Sequence, residues 1–489
     1  MRTLAALLEN GHRVEAHRPF ARSVVDAAAW RRAAEQLAAG AGTLLSLWGE
    51  PDQVHMALLA DDPAPTIGVL TLACPDRCYP SVGALHAPAI RLERALRDLY
   101  HIEPVELPDP RPWLDHGPDP TAYPFLPVEG DSLHQIPVGP VHAGIIEPGH
   151  FRFTCDGETV VRLEQRLGYV HKGVDTLMHG ATLAQAAKLT GRTSGDSTVA
   201  YAVAFARAVE AALDVTPPPR AVILRAVMAE LERVANHLGD VGAICNDAAF
   251  SIMLAHCGVL RESVLRAAGT CFGHRLMMDR VVPGGVAADL TPEGVSTLRA
   301  LLAEVGVRFA PLVELYDDTA SLQDRTVTTG IVRPELARRF GAGGHVGRAS
   351  GRAFDCRRTP GYAPYDTLDF TVPTRQEGDV NARVWIRIEE IRESLSLIEQ
   401  CLDRLPAGDT RIALAPSGPA EGMALAEAFR GDVLVWLRIG ADGSIDRCHL
   451  RDASWFQWPL LEAAIEGNIV ADFPLCNKSF NCSYSGQDL

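Results

Sequence analysis

The stretch that decides the fold is AVILRAVMAELERVANHLGDVGAI, residues 221–244. Apolar side chains recur in it at intervals of three and four residues, the spacing of one face of an α-helix. We therefore predict a long helix over about 220–240. Further long helices are predicted at about 180–212, 252–280, 292–316 and 382–405.

Strand patterns lie on both sides of these helices. Two alternating segments flank the DGE turn at 156–158 and predict a hairpin near the start of a domain that opens at residue 136. Residues 411–451 predict a small antiparallel sheet with a turn at Asp442-Gly443. The expected fold class is α+β, with a small N-terminal α/β domain and a mainly helical bundle domain that carries peripheral antiparallel hairpins.

The N-terminal part has a different composition. Residues 1–103 mix short helices with apolar strand candidates, which predicts the small α/β domain. Eight prolines follow between positions 104 and 127. Because proline fixes φ and lacks a backbone donor, residues 104–135 are predicted to be an extended linker, and the helical domain is predicted to cover 136–489.

Charge and hydropathy exclude several classes of protein. The chain has 489 residues, with 46 basic against 61 acidic side chains and a net charge of −15. This balance disfavours nucleic acid and anionic lipid as main partners. Since no apolar run approaches the roughly 18 residues of a membrane span, we expect a cytoplasmic protein that reaches the inner face of the membrane only through partner subunits.

Common cofactor and catalytic motifs are missing. The eleven cysteines contain no CxxC pair, so they are predicted to be buried or incidental thiols that supply neither a disulfide nor an iron–sulfur ligand set. A P-loop, a GxGxxG after a strand, a GxSxG and an HxxxH are all absent. Direct nucleotide binding, serine hydrolysis and a helical zinc site are therefore disfavoured.

Several motifs in order carry a family resemblance. ERALRDLYHI followed by PDPRP resembles the C-type (thirty-kilodalton) subunit of respiratory complex I. The later motifs resemble the D-type subunit, and still more closely the large subunit of group 4 membrane-bound nickel–iron hydrogenases such as formate hydrogenlyase; they are GPVHAGIIEPGHFRF, YVHKGVDTL, MAELERVANHLGDVG, PGGV, GRASGRAFDCR, GDVNARVWIRIEE and EAFRG. The resemblance implies fused C-type and D-type domains.

The resemblance also implies four cysteine ligands for nickel and iron, and this chain lacks them. Ser194 and Ser197 stand at the positions of the first two cysteine ligands. In the best alignment register, Ser483 and Gly486 stand at the positions of the other two. A serine hydroxyl is a hard ligand that stays protonated at neutral pH, whereas nickel in these enzymes is held by soft thiolates. We therefore expect no metal and no directly bound cofactor at this site, to which Arg430 is also assigned.

Three other positions match functional residues of the family. Glu147 matches the glutamate that hydrogenases use as a proton relay, and His142 lies in a loop that approaches the quinone in complex I. His171, in YVHKG, is the third candidate. The alternatives are a glutamate that faces solvent at a hairpin end and two structural histidines. The tyrosine that complex I uses for quinone has no clear counterpart, which leaves quinone binding open.

Charged residues at helical spacing form the last candidate group. Arg383 and Arg387 are one turn apart, and Glu390 follows on roughly the same face. Arg348 and Asp355 lie in RASGRAFD. Such charged side chains usually lie on the solvated surface. The resemblance implies instead that they belong to a buried ionic chain that relays protons towards membrane subunits.

Three hypotheses follow. The first is a core subunit of a complex-I-like, hydrogenase-related membrane oxidoreductase without nickel, which receives electrons from an iron–sulfur small subunit and couples them to proton or ion movement through antiporter-like and anchor subunits. The second is a group 4 hydrogenase with divergent ligands. The third is a redox-silent scaffold. If Glu147, His142 and the charges at 383–390 line one solvent-poor cavity, the first is favoured over the third.

Overall fold

The computed structural model describes residues 4–60, 65–117, 123–143, 146–415 and 418–489. The predicted α+β class is confirmed. The N-terminal part contains α1 Leu4–Glu9, β1 His12–Arg13, β2 His17–Arg18, β3 Ala21–Val25, α2 Ala27–Ala38, β4 Thr43–Glu50, β5 Gln53–Ala60, β6 Thr66–Ala73, β7 Cys78–Pro80, α3 Ile90–Tyr100 and β8 Glu103–Val105.

Five of these strands form a mixed sheet in the order β1-β3-β6-β5-β4, in which only β3 and β6 pair in parallel. Both faces of its central strands are buried. One face packs on α2 and α3 through Trp30 and Leu96. The other packs through Trp48 on Trp436 of a C-terminal sheet, with the ring centroids 5.6 Å apart. The N-terminal and C-terminal parts therefore share a continuous apolar interface.

The proline-rich segment is held against α3. The carboxylate of Asp98 accepts hydrogen bonds from the backbone N–H groups of Trp113 and Leu114, at 2.6 and 2.7 Å. Strand β9, Leu133–Val138, follows and pairs with β10, His150–Asp156, which forms the predicted hairpin with β11, Thr159–Arg166. The predicted linker 104–135 is therefore too long, because β8 occupies its start and β9 its end.

The helical part comprises α4 Val174–Met178, α5 Leu183–Thr190, α6 Thr198–Leu213, α7 Pro219–Asp247, α8 Ser251–Phe272, the short ladder of β12 Val281–Val282 and β13 Gly285–Val286, α9 Pro292–Asp318, α10 Ala320–Thr326, α11 Pro334–Arg339, α12 Gly344–Ala349 and α13 Val380–Asp403. Helix α7 is central and packs on α6, α8 and α13. Within the described segments, no helix combines the length and apolar character needed to cross a membrane.

Two predicted helices are wrong in extent. The helix expected over 180–212 is divided into α5 and α6 by residues 191–197, where serine, aspartate and glycine favour turns over helix. Glu232 of α7 accepts hydrogen bonds from the first free N–H groups of α6, those of Val199 and Ala200, at 2.7 and 3.1 Å. The helix expected to reach residue 280 ends at Phe272, because Gly273 adopts a left-handed conformation with φ of 74°.

The chain closes with a sheet and three helices. The elements are β14 Ala420–Ala428, β15 Gly431–Ile439, β16 Ile445–Arg451, α14 Ser454–Ile465, α15 Phe473–Phe480 and α16 Tyr484–Asp488. The predicted turn at Asp442-Gly443 joins β15 to β16. Strand β2 extends this sheet by pairing with β14. Helix α16 begins against the loop before α6, and this meeting point forms the candidate site.

Candidate functional site

The two predicted ligand segments meet in space. The hydroxyl oxygen of Ser194, just before α6, lies 3.0 Å from that of Ser483, at the start of α16. Ser483 caps α16 by accepting a hydrogen bond from the N–H of Gly486 at 2.9 Å. Its own N–H donates to the hydroxyl of Ser454 at 2.9 Å. The register that equates Ser483 and Gly486 with the second ligand pair thus agrees with the geometry.

The four positions do not fit a soft metal. A Cβ atom on Gly486 would lie 2.7 Å from Cγ of Asp452, whose carboxylate accepts a hydrogen bond from the hydroxyl of Tyr201 at 2.8 Å. The other three positions offer only hydroxyl oxygens. Cys482 is buried beside them, and burial raises the pKa of its thiol, which disfavours a thiolate. In the part of the chain that the structure describes, no three His, Cys, Asp or Glu side chains are grouped to hold a metal ion.

An ion pair lies beside the serines. Arg430 donates two hydrogen bonds to the carboxylate of Asp196, at 2.8 and 2.6 Å, and a longer one to the hydroxyl of Ser197 at 3.3 Å. Burial opposes ionisation of Asp196, but Arg430 holds its pKa below the usual range. Asp196 also accepts a hydrogen bond from the hydroxyl of Ser194 at 2.8 Å. Arg430 therefore lies beside the serines in the wall of the cleft, and its described contacts are to protein groups.

The site opens into a cleft of about 640 Å³. Its polar lining comes from five parts of the chain: His142, Glu147, Ser194, Asp196, Asp247, Arg430, Asn477, Lys478, Asn481, Ser483, Tyr484 and Ser485. Glu147 is exposed, and its carboxylate accepts a hydrogen bond from the N–H of Ser485 at 3.1 Å. His142 is half-buried, with Nε2 3.4 Å from the hydroxyl of Tyr484. Burial lowers the pKa of His142, which favours the neutral imidazole.

His171 lies outside the cleft that Glu147 and His142 line, and its functional role stays a prediction. Its ring is exposed, and Nδ1 lies 2.7 Å from the backbone oxygen of Asp488. It lines a separate small chamber between α3, β4 and the end of α16. The YVHKG motif alone could not show which side of α16 the histidine would occupy.

The charges predicted on α13 lead inwards from the cleft. Lys478 and Asn481, both in the cleft lining, donate to the carboxylate of Asp240 at 3.1 and 3.0 Å. Arg387 pairs with the other oxygen of Asp240 at 3.1 Å and donates to Nε2 of His345 at 2.9 Å. These contacts join the cleft to the interior of the helical domain.

A second group of charges continues from there. The rings of His345 and His237 are 6.3 Å apart, and Nε2 of His237 lies 2.7 Å from the carboxylate of Glu390. Arg348 donates to Glu390 at 2.7 Å and to Glu427 at 2.9 Å. Beyond it the ion pairs Arg348–Asp355, Asp355–Arg357, Arg357–Glu230 and Glu230–Arg233 measure 3.4, 2.7, 3.0 and 3.1 Å.

We call this set, from Asp240 to Glu230, the buried ionic chain. Its side chains are at most 5% exposed. Burying single ions costs several kcal/mol each, so such a chain persists only because each charge is paired. Burial opposes ionisation of Glu390, yet Arg348 and His237 hold its pKa well below the usual range.

Arg383 is buried next to this chain but is not one of its ion pairs. It donates to the hydroxyl of Ser479 and to the carbonyl oxygens of Gly378 and Gly330, at 2.9, 2.7 and 3.0 Å. No carboxylate of the described segments lies within ion-pair distance of it. Its predicted place in a relay with Arg387 and Glu390 stays a prediction; Arg387 donates a hydrogen bond to the backbone oxygen of Arg383 at 3.1 Å.

Sequence reasoning missed the charges of α7. Glu230, Arg233, His237 and Asp240 follow at intervals of three and four residues, and all are buried. This is the spacing of one helical face, in a helix that is buried along most of its length. Charges at that spacing in a fully buried helix are the signal that could have found them.

Comparisons with known proteins agree with this architecture. Residues 247–418 match the family model of the 49-kDa subunit of respiratory-chain NADH dehydrogenase. Formate hydrogenlyase subunit 5 of Escherichia coli is 32% identical over 84% of this chain and 77% of its own length. The carbon monoxide-induced hydrogenase of Rhodospirillum rubrum is 31% identical, over 72% and 98%. A D-type subunit of the NADH-quinone oxidoreductase of Roseiflexus is 33% identical, over 69% and 94%.

Proposed function

Since the chain belongs to the family that unites complex I D-type subunits with the large subunits of group 4 membrane-bound hydrogenases, we propose that it is the core subunit of a membrane-associated, complex-I-like oxidoreductase without a nickel–iron centre. Its role is to couple electron transfer from an iron–sulfur small subunit to proton or ion translocation by antiporter-like membrane subunits. The chain lies on the inner face of the cytoplasmic membrane, anchored by those partners.

Glu147 and His142 do not share one cavity with the charges of α13, which lie behind the cleft wall. The buried ionic chain, which is joined to the cleft through Lys478, is the observation that carries the proposal. A redox-silent scaffold has no need for a row of paired charges in its most buried helices, where apolar residues of similar volume would often be equally or more stable. Lys478 and Asn481 in the cleft wall bind Asp240, the first residue of this chain, which reaches Glu230 through α7, α12 and α13. A change of charge in the cleft can therefore alter the pairing of Asp240 and, through it, the interior.

The absence of a nickel–iron centre is supported by the serine cluster. Ser194 and Ser483 hydrogen-bond each other, and the carboxylate of Asp452 leaves no room for a side chain at Gly486. Neither feature fits a four-thiolate site. The same observations argue against a divergent hydrogenase.

A quinone is the acceptor that the cleft favours. Tyr484 and His142 form a hydroxyl–imidazole contact at 3.4 Å in the cleft wall, so that α16 supplies the tyrosine that the N-terminal loops lack. Reduction of a quinone to a quinol takes two electrons, here from the partner's cluster, and two protons. Both protons come from solvent: Glu147, at the mouth of the cleft, can pass them inwards, and the hydroxyl of Tyr484 can donate one to the quinone and be reprotonated through the neutral imidazole of His142.

The proposal is tested with the complete complex in sealed membrane vesicles. Glu390→Gln removes the charge that Arg348 and His237 share, and Glu389→Gln, at the neighbouring half-exposed position, is the matched control. We expect the Glu390 variant to keep electron transfer to a quinone but to lose most of the pH gradient, with the control unchanged. Equal gradients in both variants, or no electron transfer even in the unmodified complex, would support the scaffold instead.

A further inference from the structure

A groove on the helical part of the chain is separate from the cleft. It lies between α5, the β12–β13 ladder and residues 411–414, has a volume of about 490 Å³ and shares no lining residue with the cleft. Its wall is mainly apolar and includes Leu183, Ala187, Ala202, Val282, Pro283 and Leu414. Ligand sites commonly measure about 300–1,000 Å³, so the groove is large enough for an occupant that buries apolar surface.

One backbone unit of β12 is unpaired in this groove. Val281 lies opposite Val286 in the β12–β13 ladder. The N–H of Val286 donates to the oxygen of Thr410 at 2.9 Å, at the other edge of β13. The N–H of the next residue, Ala287, donates to the oxygen of Arg280 at 2.8 Å. Since bonded and non-bonded pairs alternate in an antiparallel ladder, Val281 directs its own N–H and C=O away from β13.

These two backbone groups of Val281 are nearly buried. Among the described residues no group bonds to either of them, although Val281 lines the groove and is only 2% exposed. A buried N–H and C=O without partners cost free energy. An extended peptide beside β12 supplies an acceptor and a donor from one edge, whereas a fatty acid has no donor for the C=O. The edge of β12 therefore favours a peptide over a lipid.

The charges of the groove indicate which peptide it fits. Lys188 of α5 and Arg411 both line the groove, are exposed and form no ion pair with the described residues. Asp279 lines it too and attracts Lys188, but Arg192 binds its carboxylate through two hydrogen bonds at 2.7 and 2.8 Å. The groove is thus positive on a chain whose net charge is −15, which favours acidic side chains in the occupant.

We propose that this groove binds an extended segment of a partner subunit, which adds to the edge of β12 as a further strand. Hydrogen bonds to the N–H and C=O of Val281 hold its backbone, apolar side chains fill the groove, and acidic side chains pair with Lys188 and Arg411. The inference rests on the proposed function only in requiring that the chain has partner subunits.

The first test is hydrogen–deuterium exchange at the amide of Val281, compared between the full chain alone and the purified complete complex. In the chain alone this amide lacks an acceptor and should exchange quickly. In the complex we expect exchange at least about tenfold slower, because the added strand accepts its hydrogen bond. Equally fast exchange in both would overturn the proposal.

A charge-reversed variant separates strand addition from general coverage by the partner. The double variant Lys188→Glu/Arg411→Glu changes two exposed side chains of the groove and should lose the protection of Val281 in the complex. Arg31→Glu/Arg392→Glu changes the net charge equally at exposed positions outside the groove and should keep that protection. Protection that persists in the groove variant would contradict the assigned role of the two cations.

A photo-reactive benzophenone amino acid at Ala187 identifies the occupant within the purified complex. We expect a cross-link to a segment of a partner subunit that contains acidic and apolar residues. A cross-link to lipid or to a second copy of this chain, or no cross-link to a partner, would overturn the proposal. None of these measurements needs electron transfer, so unchanged exchange at Val281 in a complex that reduces quinone would reject the groove alone and leave the proposed function standing.

Discussion

The hydroxyl oxygens of Ser194 and Ser483 lie 3.0 Å apart although 289 residues separate them in the chain. This contact links the loop before α6 to the start of α16. Arg430 adds a second link, because it binds Asp196 on one side and the backbone oxygen of Asn481 on the other. The site is thus closed by hydrogen bonds and one ion pair.

The first prediction concerns Gly486. In Gly486→Ala, the added Cβ meets the carboxylate of Asp452, which Tyr201 holds in place. We expect a loss of about 1–3 kcal/mol in the free energy of unfolding, measured with urea. Gly195→Ala is the control, because a Cβ there has no neighbour within 4 Å, and it should change stability by less than about 0.5 kcal/mol. Equal losses would contradict the packing described for α16.

The second prediction concerns the stability of the buried ionic chain. Arg348→Met leaves Glu390, Glu427 and Asp355 facing an apolar side chain. Breaking a buried pair on one side typically costs about 3–5 kcal/mol, and we expect at least that loss on urea unfolding. Arg375→Met removes a half-exposed pair with Glu389 and should cost less than about 1 kcal/mol. A small loss of unfolding free energy for Arg348→Met would mean that the ion pairs of Arg348 contribute little to the stability of the protein.

The third prediction is the response to acid. Burial opposes ionisation of Glu230, but Arg233 and Arg357 hold its pKa at about 2. A depressed folded-state pKa gives stability that is complete above the unfolded value near 4.5 and is lost as pH falls towards 2. Glu230→Gln should therefore be less stable at neutral pH but should lose less stability between pH 4.5 and 2. Parallel curves for the two proteins would show that Glu230 titrates normally.

The fourth prediction separates catalysis from folding in the cleft. Tyr484→Phe removes the hydroxyl that contacts His142 and should lower the rate of quinone reduction by about 10²-fold, with little change in stability. Tyr169→Phe is the control, since the ring of Tyr169 contacts that of His116 outside the cleft. Rates that fall equally in both variants would remove Tyr484 from the proposed proton donors.

Local patterns in the sequence were enough for most elements but not for the site. The spacing of apolar residues predicted α7, α9 and α13, and the Asp442-Gly443 turn predicted the β15–β16 hairpin. The break between α5 and α6 was missed because alanine-rich sequence continues on both sides of it. The family resemblance identified Ser194 and Ser483 as ligand positions. The contact of Tyr484 with His142 could not be predicted, because it depends on how α16 packs and no local pattern reveals that packing.

The buried ionic chain could likewise be predicted only in part from the sequence. Arg387 and Glu390 were identified by resemblance, whereas their partners Asp240, His345 and His237 come from other helices. Glu147 and His142 line the cleft, and the charges of α13 lie behind its wall instead of in it. Their connection through Lys478 becomes visible only when α15 is placed against α7.

The most direct test of the account is the metal content of the complex purified with its iron–sulfur subunit, measured by elemental analysis together with hydrogen uptake. The account predicts no nickel, iron only in the amount of the partner's clusters, and no hydrogen turnover. Stoichiometric nickel with hydrogen turnover would contradict it, and would show that Ser194, Ser197, Ser483 and Gly486 do not mark a lost metal site.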